Sequence, residues 1–575
     1  MYVYLYLILG YLLVLMAFNF YRSRQIKSHE DFMVAGRTLS LRIMVFTLIC
    51  TWIGSGTFIA GAEYAARAGW SSLWLPAGAW FGIAVIYFLA GKIRTFGQYT
   101  IGDILEVRYG KFARVFGAIA LVIAFTTIVS YQFRAGGYIL NVVTNGVVSV
   151  EWGQAITATF VILFTALGGM VAVAHTDLPN GIIIVVACIA AVPFAIAFAG
   201  GWDSPHAVLP DGHFQPFSQD FGEHPLLKAG SYFLATMMLL MGVQSMYQKF
   251  YSARSPKEAK QAVALWIVGT ILVETLVVAI AIYGASANWH SIQVFDLGRQ
   301  LAAEVREGRL DVAGAPARAD ALVRERVANG QVKSEHAAGL TQQLRTEVQP
   351  LLADPANFVR EAERIGRDPA SVVLVSAENI ASRGGVQLVF GVLLLAAACA
   401  VVLSTGMNYL LSPTTNIMRD IYQRFINPNP PPGRMVALQK VFVVIVGLCA
   451  FLMIFIPTVM HARISVLRYS YFAYTMYGVA ITPALLAALA WKRATRAGGV
   501  VSIISGAVMA LLLELVIPNL FPQVMKGPAG SQDPWGVPSI YPSLAVSVLA
   551  LFVVSLATPK PDPKSLQELF PEKRG

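Results

Sequence analysis

The sequence predicts an all-α integral membrane protein of about 13 transmembrane helices, interrupted by one polar helical insert. Three observations carry that prediction. Of 575 residues, 56% are hydrophobic and only 13% charged, about half of the roughly 25% charged residues in a soluble globular domain. The charge is uneven, since residues 288–383 alone hold 13 acidic and 12 basic side chains. The apolar residues outside that segment fall into runs close to the ~20 residues a helix needs to cross a ~30 Å hydrocarbon core.

In order, the runs cover residues 2–20, 43–64, 72–91, 113–143, 153–173, 179–199, 229–248, 263–287, 386–411, 435–457, 465–490, 497–517 and 540–557. The first has no basic start and no small-residue cleavage site, and Arg22, Arg24 and Lys27 follow it. It therefore reads as a retained helix with its N-terminus outside. Alternate loops then hold 25 of the 43 Lys and Arg residues, whereas the opposite short loops hold only Arg67, Lys228, Arg463 and Lys526. The positive-inside rule turns this alternation into 13 spans in the cell membrane, plasma or inner, with a cytoplasmic C-terminal tail, 558–575. Residues 1–287 supply eight spans, 288–383 the extracytoplasmic insert, and 384–557 five more. This topology accounts for the net charge of +11, so the expected partners are the lipid bilayer and a small-molecule solute, with no nucleic acid.

The insert reads as short polar helices over 297–310, 317–328, 335–352 and 355–365, with apolar residues such as Leu322, Val323 and Val327 at helical spacing. No motif in it carries chemistry, and it is expected to be a solvated cap, with a regulatory or partner-binding role as the alternative. The four cysteines, Cys50, Cys188, Cys399 and Cys449, lie inside apolar runs with no Cys-x-x-Cys spacing, which argues against a disulfide framework or a zinc site.

Glycines and hydroxyls interrupt three of the spans. The second contains Thr47-Leu-Ile-Cys50-Thr51-Trp52-Ile53-Gly54-Ser55-Gly56-Thr57, and the seventh contains Met241-Gly242-Val243-Gln244-Ser245. Interruptions at corresponding places in two halves point to a transporter's binding site, because unwound backbone is tolerated at membrane depth only where it lines a cavity. The ninth carries Ser404-Thr405-Gly406-Met407-Asn408, ending in Arg419-Asp420-Ile421-Tyr422. Its hydroxyl pair, set against unwound carbonyls, suits a hard monovalent cation; bonding of the hydroxyls to their own helix is the alternative.

Several segments then resemble the sodium:solute symporter family. They are Asp31-Phe-Met-Val-Ala-Gly36-Arg37, Gly97-Gln-Tyr-Thr100-Ile-Gly102-Asp103 with Arg108-Tyr109-Gly110, Gly168-Gly169 through Thr176-Asp177, Gln248-Lys249-Phe250, and Asn408 to Tyr422. The resemblance implies a leucine-transporter-type fold of two inverted five-helix repeats, here helices 2–6 and 7–11. It also implies sodium-coupled symport of a small organic solute by alternating access, with sodium as coupling ion and no further cofactor. Carried over by motif, the ion site falls on carbonyls of Cys50, Ile53 and Val401 and hydroxyls of Ser404 and Thr405. Asp177 falls at the inner mouth of the sixth helix as an ion-exit residue, or serves as a helix N-terminal acid. Leu178-Pro179-Asn180 departs from the family pattern there and changes the expected start of that helix.

For the solute, Thr51-Trp52-Ile53-Gly54 with Ala62-Glu63 looks most like the choline-carrier branch, where tryptophan helps cage a quaternary ammonium. Ile128 and Val243 stand where further cage tryptophans are expected, which leaves the solute unassigned. Candidate solute-binding residues are Trp52, Gly54, Ser55, Glu63, Tyr131, Arg134, Gln244 and Asn408. Trp80 is a further aromatic, and Arg134 either meets a solute carboxylate or pairs with Glu63 or backbone carbonyls. A transporter-like sensor and a membrane-embedded enzyme are the alternatives. The eight histidines form no cluster, and no Gly-x-Ser-x-Gly, His-Glu-x-x-His or phosphate-loop motif occurs.

Overall fold

The computed structural model describes residues 2–24, 29–96, 99–218, 221–459, 465–527, 532–561 and 566. Lys27, Gly97, Gln98, Arg463 and most of the 558–575 tail, all used above, lie outside the described residues, as does His461, one of the eight histidines.

Every predicted apolar run is helical. Among the described residues the runs map onto ten stretches long and apolar enough to cross a membrane, with two shorter apolar helices, Tyr6–Tyr21 and Leu41–Trp52. Two of the ten stretches each hold more than one predicted element. Gly56–Phe96 joins the far half of the second run to the third. Val150–Ala199 has 50 residues, roughly 75 Å at ~1.5 Å per residue and more than twice the hydrocarbon core. It contains both the fifth and sixth runs.

That last stretch corrects one expectation. Pro179 and Asn180 do not start a helix; they lie inside one, and the backbone breaks earlier, at Gly169 (φ 51°, ψ −162°). Only glycine adopts this conformation readily, and a Cβ there would sit 2.6 Å from the Phe32 ring. Asn180 instead accepts a hydrogen bond from Tyr11 Oη at 2.6 Å, tying the first helix to the sixth.

The second and seventh runs are broken as their glycines predict. Helix Leu41–Trp52 stops at Ile53 (ψ 97°), and the chain resumes as a π-helix, Gly56–Gly61, and then Ala62–Ala68. Helix Pro225–Gly242 stops at Val243 (ψ 117°) and resumes as Gln244–Ser252. Hydroxyls satisfy the carbonyls freed at the second break, with Tyr477 Oη donating to Gly242 O at 2.7 Å and Tyr247 Oη to Met241 O at 2.9 Å. The two broken elements also meet directly, through a parallel bridge between Leu39 and Ala253. Helix Gly385–Asn416 lies against Lys111–Val143 and Val150–Ala199 and is buried along its second half. A two-stranded antiparallel pair, Met525–Lys526 with Asp533–Pro534, is the one β-sheet among the described residues.

The insert has two parts. Helices Trp289–Arg306, Ala315–Ala328, Ala337–Val348 and Phe358–Ala362 enclose an apolar cluster of their own, including Leu297, Leu301, Leu322, Leu340 and Phe358. Arg318 grips Glu304 with two nitrogens at 2.8 and 2.9 Å and holds its carboxyl below the ordinary range. Residues 372–382, read from the sequence as insert, form helix Val372–Ser382, whose Val372, Val373, Leu374 and Ala377 belong to the main core. Polar contacts fasten the insert to the rest of the molecule, among them Lys333 Nζ donating to His206 O at 2.6 Å. Arg67 pairs with both oxygens of Asp296 at 3.0 and 3.1 Å, and Tyr138 Oη donates to Asp368 at 3.0 Å.

Candidate ion and solute site

The break in the second helix exposes carbonyls toward the ninth. Thr405 Oγ1 lies 2.9 Å from Cys50 O and 3.0 Å from Ile53 O, and Ser404 Oγ lies 3.5 Å from Cys50 O. A hydroxyl has one proton, so Thr405 satisfies one of its two carbonyl neighbours and faces the other with a lone pair. Oxygens converge here with too few protons to bond them all, a donor set that fits a hard cation. Gly54 permits the approach, since a Cβ there would fall 2.8 Å from Thr405 Cγ2. Four of the five expected ion ligands are thus brought together. The fifth, Val401, lies buried one turn before Thr405 on the same helix face.

Asp177 does not stand at a helix start at the inner mouth; it lies inside helix Val150–Ala199, fully buried in this cluster. It accepts hydrogen bonds from Thr47 Oγ1 at 2.5 Å, from Ser404 Oγ, and from Asn408 Nδ2 at 3.2 Å. Its own carbonyl accepts from Cys50 Sγ at 3.3 Å. The expectation failed because the helix break moved to Gly169, which leaves Asp177 two turns inside the following helix. Asn408, expected at the solute, belongs to this cluster too. Its other amide atom, Oδ1, accepts from Lys249 Nζ, which also contacts Met170 Sδ at 3.1 Å. Lys249 is fully buried, so the cluster contains one carboxylate and one ammonium bridged by Asn408.

A second cluster, one turn along from the break, was missed by the sequence reading. Glu274, 3% exposed in helix Pro256–Ala287, accepts from Trp52 Nε1 at 2.8 Å and from Trp80 Nε1 at 2.6 Å. Thr57 Oγ1 is 3.5 Å away. Its signal was legible, because a carboxylate within an apolar span is a functional candidate by default. Beside it lies a small cleft walled by Trp52, Gly56, Thr57, Gly61, Ser72, Leu75, Pro76, Thr236, Val278 and Tyr474. Trp52 and Tyr474 face each other with ring centres 6.2 Å apart.

The other solute candidates are distributed more widely. Ser55 donates its backbone N–H to Gln132 Oε1 at 3.1 Å, and Tyr131 Oη lies 3.5 Å from Tyr474 Oη, behind the cleft wall. Gln244 is not at the cleft: its Oε1 accepts from the Ile101 N–H at 2.6 Å, and so it braces helix Ile101–Tyr109. Glu63 and Arg134 do not pair with one another as one reading expected. Glu63 lies 3.8 Å from Arg67, while Arg134 is 3.5 Å from Gln154 Oε1 and stacks on Tyr138. Reach decides this, since Arg67 stands one turn from Glu63 on the same helix face. Between the third and fourth spans, Arg114 binds Asp103, Glu106 and Asp420 at 2.7, 2.5 and 2.6 Å. This buried knot ties the end of the ninth helix to the fourth, and motif reading alone gave it no role.

Comparisons with known proteins agree with this architecture. A sodium/proline symporter of Staphylococcus aureus (strain bovine RF122 / ET3-1) is 23% identical, with 96% of this chain and 92% of the relative covered. A sodium/proline symporter of Haemophilus influenzae is 31% identical over a shorter stretch, 30% of this chain and 31% of the relative. Among solved structures, a Na+-coupled sialic acid symporter in a substrate-bound, outward-open state superposes with TM-score 0.66 at 14% identity, with 97% and 98% of the two chains covered. That is a likeness of fold, the leucine-transporter type. The pattern of the sodium:solute symporter family matches residues 32–295 and 378–506, more than half of the sequence, and the chain belongs to that family.

Proposed function

We propose that this symporter couples inward movement of a small organic solute to sodium held between the broken second helix and the ninth. The ligands are the carbonyls of Cys50, Ile53 and Val401 and the hydroxyls of Ser404 and Thr405, with Asp177 adding negative charge from beside them. One observation carries the reading. Thr405 Oγ1 stands within 3.0 Å of two carbonyls that helix geometry leaves free, and it has one proton between them. An ion at that point joins two elements that move relative to each other in alternating access, so sodium favours the arrangement in which the solute cleft is formed. The relatives' solutes, proline and sialic acid, set the scale as small and organic. The charge alternation of the loops supports a plasma-membrane protein with its N-terminus outside and its C-terminus in the cytoplasm.

The test needs no solute. Ion binding to the folded state raises apparent stability by mass action. Sodium is therefore expected to raise the unfolding temperature of the purified protein above that in equal potassium, and the Ser404→Ala/Thr405→Ala variant is expected to lose the difference. An unchanged sodium response in the double variant refutes the assignment.

A further inference from the structure

We infer that the solute is a small monocation with N–H donors, a protonated primary or secondary amine, and that Glu274 is its counter-ion in the cleft. The inference rests on the transport reading above and names the solute class of the same molecule.

The argument starts from Glu274. A carboxylate at membrane depth is costly unless a cation offsets it. Its partners are two indole N–H groups and one distant hydroxyl, all neutral, and among the described residues no Lys or Arg forms an ion pair with it. Both oxygens are oriented, since Trp52 fixes Oε1 and Trp80 fixes Oε2. A carboxylate has about four lone-pair sites, so acceptor capacity remains for a donor arriving from the cleft it lines.

The rest of the cleft fits the same ligand. Ser72 is 2% exposed and lines it, and among the described residues its hydroxyl has no hydrogen-bond partner. Thr236 is already satisfied by Leu75 O at 2.6 Å, which leaves Ser72 as a polar group awaiting one. Trp52 and Tyr474 present aromatic faces, which attract cations, while Leu75, Pro76 and Val278 give apolar walls for a short carbon skeleton. Among the described residues, none that lines the cleft is basic. A zwitterion would therefore bring its carboxylate beside Glu274 with no cationic side chain in the lining to receive it, and an anion would meet the repulsion of Glu274.

The experiment measures ligand-induced stabilisation of the purified full-length protein in sodium, with probes matched in size: n-propylamine and pyrrolidine as protonated amines, tetramethylammonium, proline as a zwitterion, and propionate. Sodium-dependent stabilisation by the protonated amines is expected, with tetramethylammonium weaker because it donates no N–H bond. Glu274→Gln is expected to weaken amine binding at least tenfold while leaving the sodium response itself in place. Stabilisation by proline or propionate with none by the amines overturns the inference and leaves sodium-coupled symport standing. Amine affinity within twofold of wild type in Glu274→Gln also overturns it. If that variant does not fold, the ranking of probes on the wild-type protein still decides. Loss of all sodium response in the wild type refutes the transport reading instead.

Discussion

Asp177 and Glu274 are both carboxylates buried in membrane-spanning helices, and they are satisfied in different ways. Asp177 collects hydroxyl and amide donors and shares its cluster with a buried ammonium, Lys249, through Asn408. Among the described residues Glu274 collects only neutral donors, from Trp52, Trp80 and Thr57. The first charge is compensated by the chain itself; the second is oriented but not compensated. One site is thus complete enough to keep its shape between transport events, while the other is completed by what it binds.

Removing the internal counter-charge breaks that contrast most severely. Lys249→Met strands Asp177, and removing one partner of a buried pair typically costs about 3–5 kcal/mol. Its unfolding midpoint in detergent is expected to fall well below wild type. Glu274→Gln, measured without solute, strands no charge and loses one of two indole hydrogen bonds, so a change of only about 1–2 kcal/mol is expected. Equal losses in the two variants would dissolve the distinction between the sites.

The ion response separates the sites next. Ser404→Ala and Thr405→Ala are each expected to raise the sodium concentration for half-maximal stabilisation by about tenfold, a difference of roughly 1.4 kcal/mol. Gly54→Ala sharpens the point without removing an oxygen. Its Cβ would press on Thr405 at 2.8 to 3.0 Å, and a weaker but measurable loss of sodium response is expected from overpacking.

The smallest effect is expected from trimming the insert. Gly298 and Ala362 adjoin, since a Cβ on the former would lie 2.5 Å from the carbonyl of the latter. A short Gly/Ser linker replacing 299–361 therefore closes a gap already nearly closed. The trimmed protein is expected to fold and keep its sodium response. A deletion running to 375 removes Val372, Val373 and Leu374 from the main core and is expected to be unstable, which circular dichroism melts would show.

What was legible in the sequence follows from where the information is local. Gly54, Gly56 and Gly242 marked the helix breaks because backbone freedom is a property of single residues. The pair Ser404-Thr405 was legible as adjacent oxygens, and the carbonyls opposite them came from the family resemblance. Asp177 was misplaced because its position depends on where the chain breaks, and the break falls at Gly169 rather than beside Leu178-Pro179. Packing of Gly169 against Phe32 decides that, across more than a hundred residues. Glu274 went unread although its placement in an apolar run was visible; its indole partners come from the second and third spans and are neighbours only after folding. Gln244 was misassigned for the same reason, since nothing in its own segment shows that Ile101 will present an N–H to it.

The grip of Arg67 on Asp296 has an experimental use. Arg67 sits on Ala62–Ala68, the continuation of the broken second helix beyond the cleft, and its two bonds fasten that segment to a folded body on the water-facing side. A tilt of the segment during the cycle would be passed through Asp296 to helix Trp289–Arg306, against which Ala337–Val348 packs. A fluorophore pair with one dye on the exposed side of Ala337–Val348 would read out the turnover of single molecules from a surface that touches neither ion nor solute.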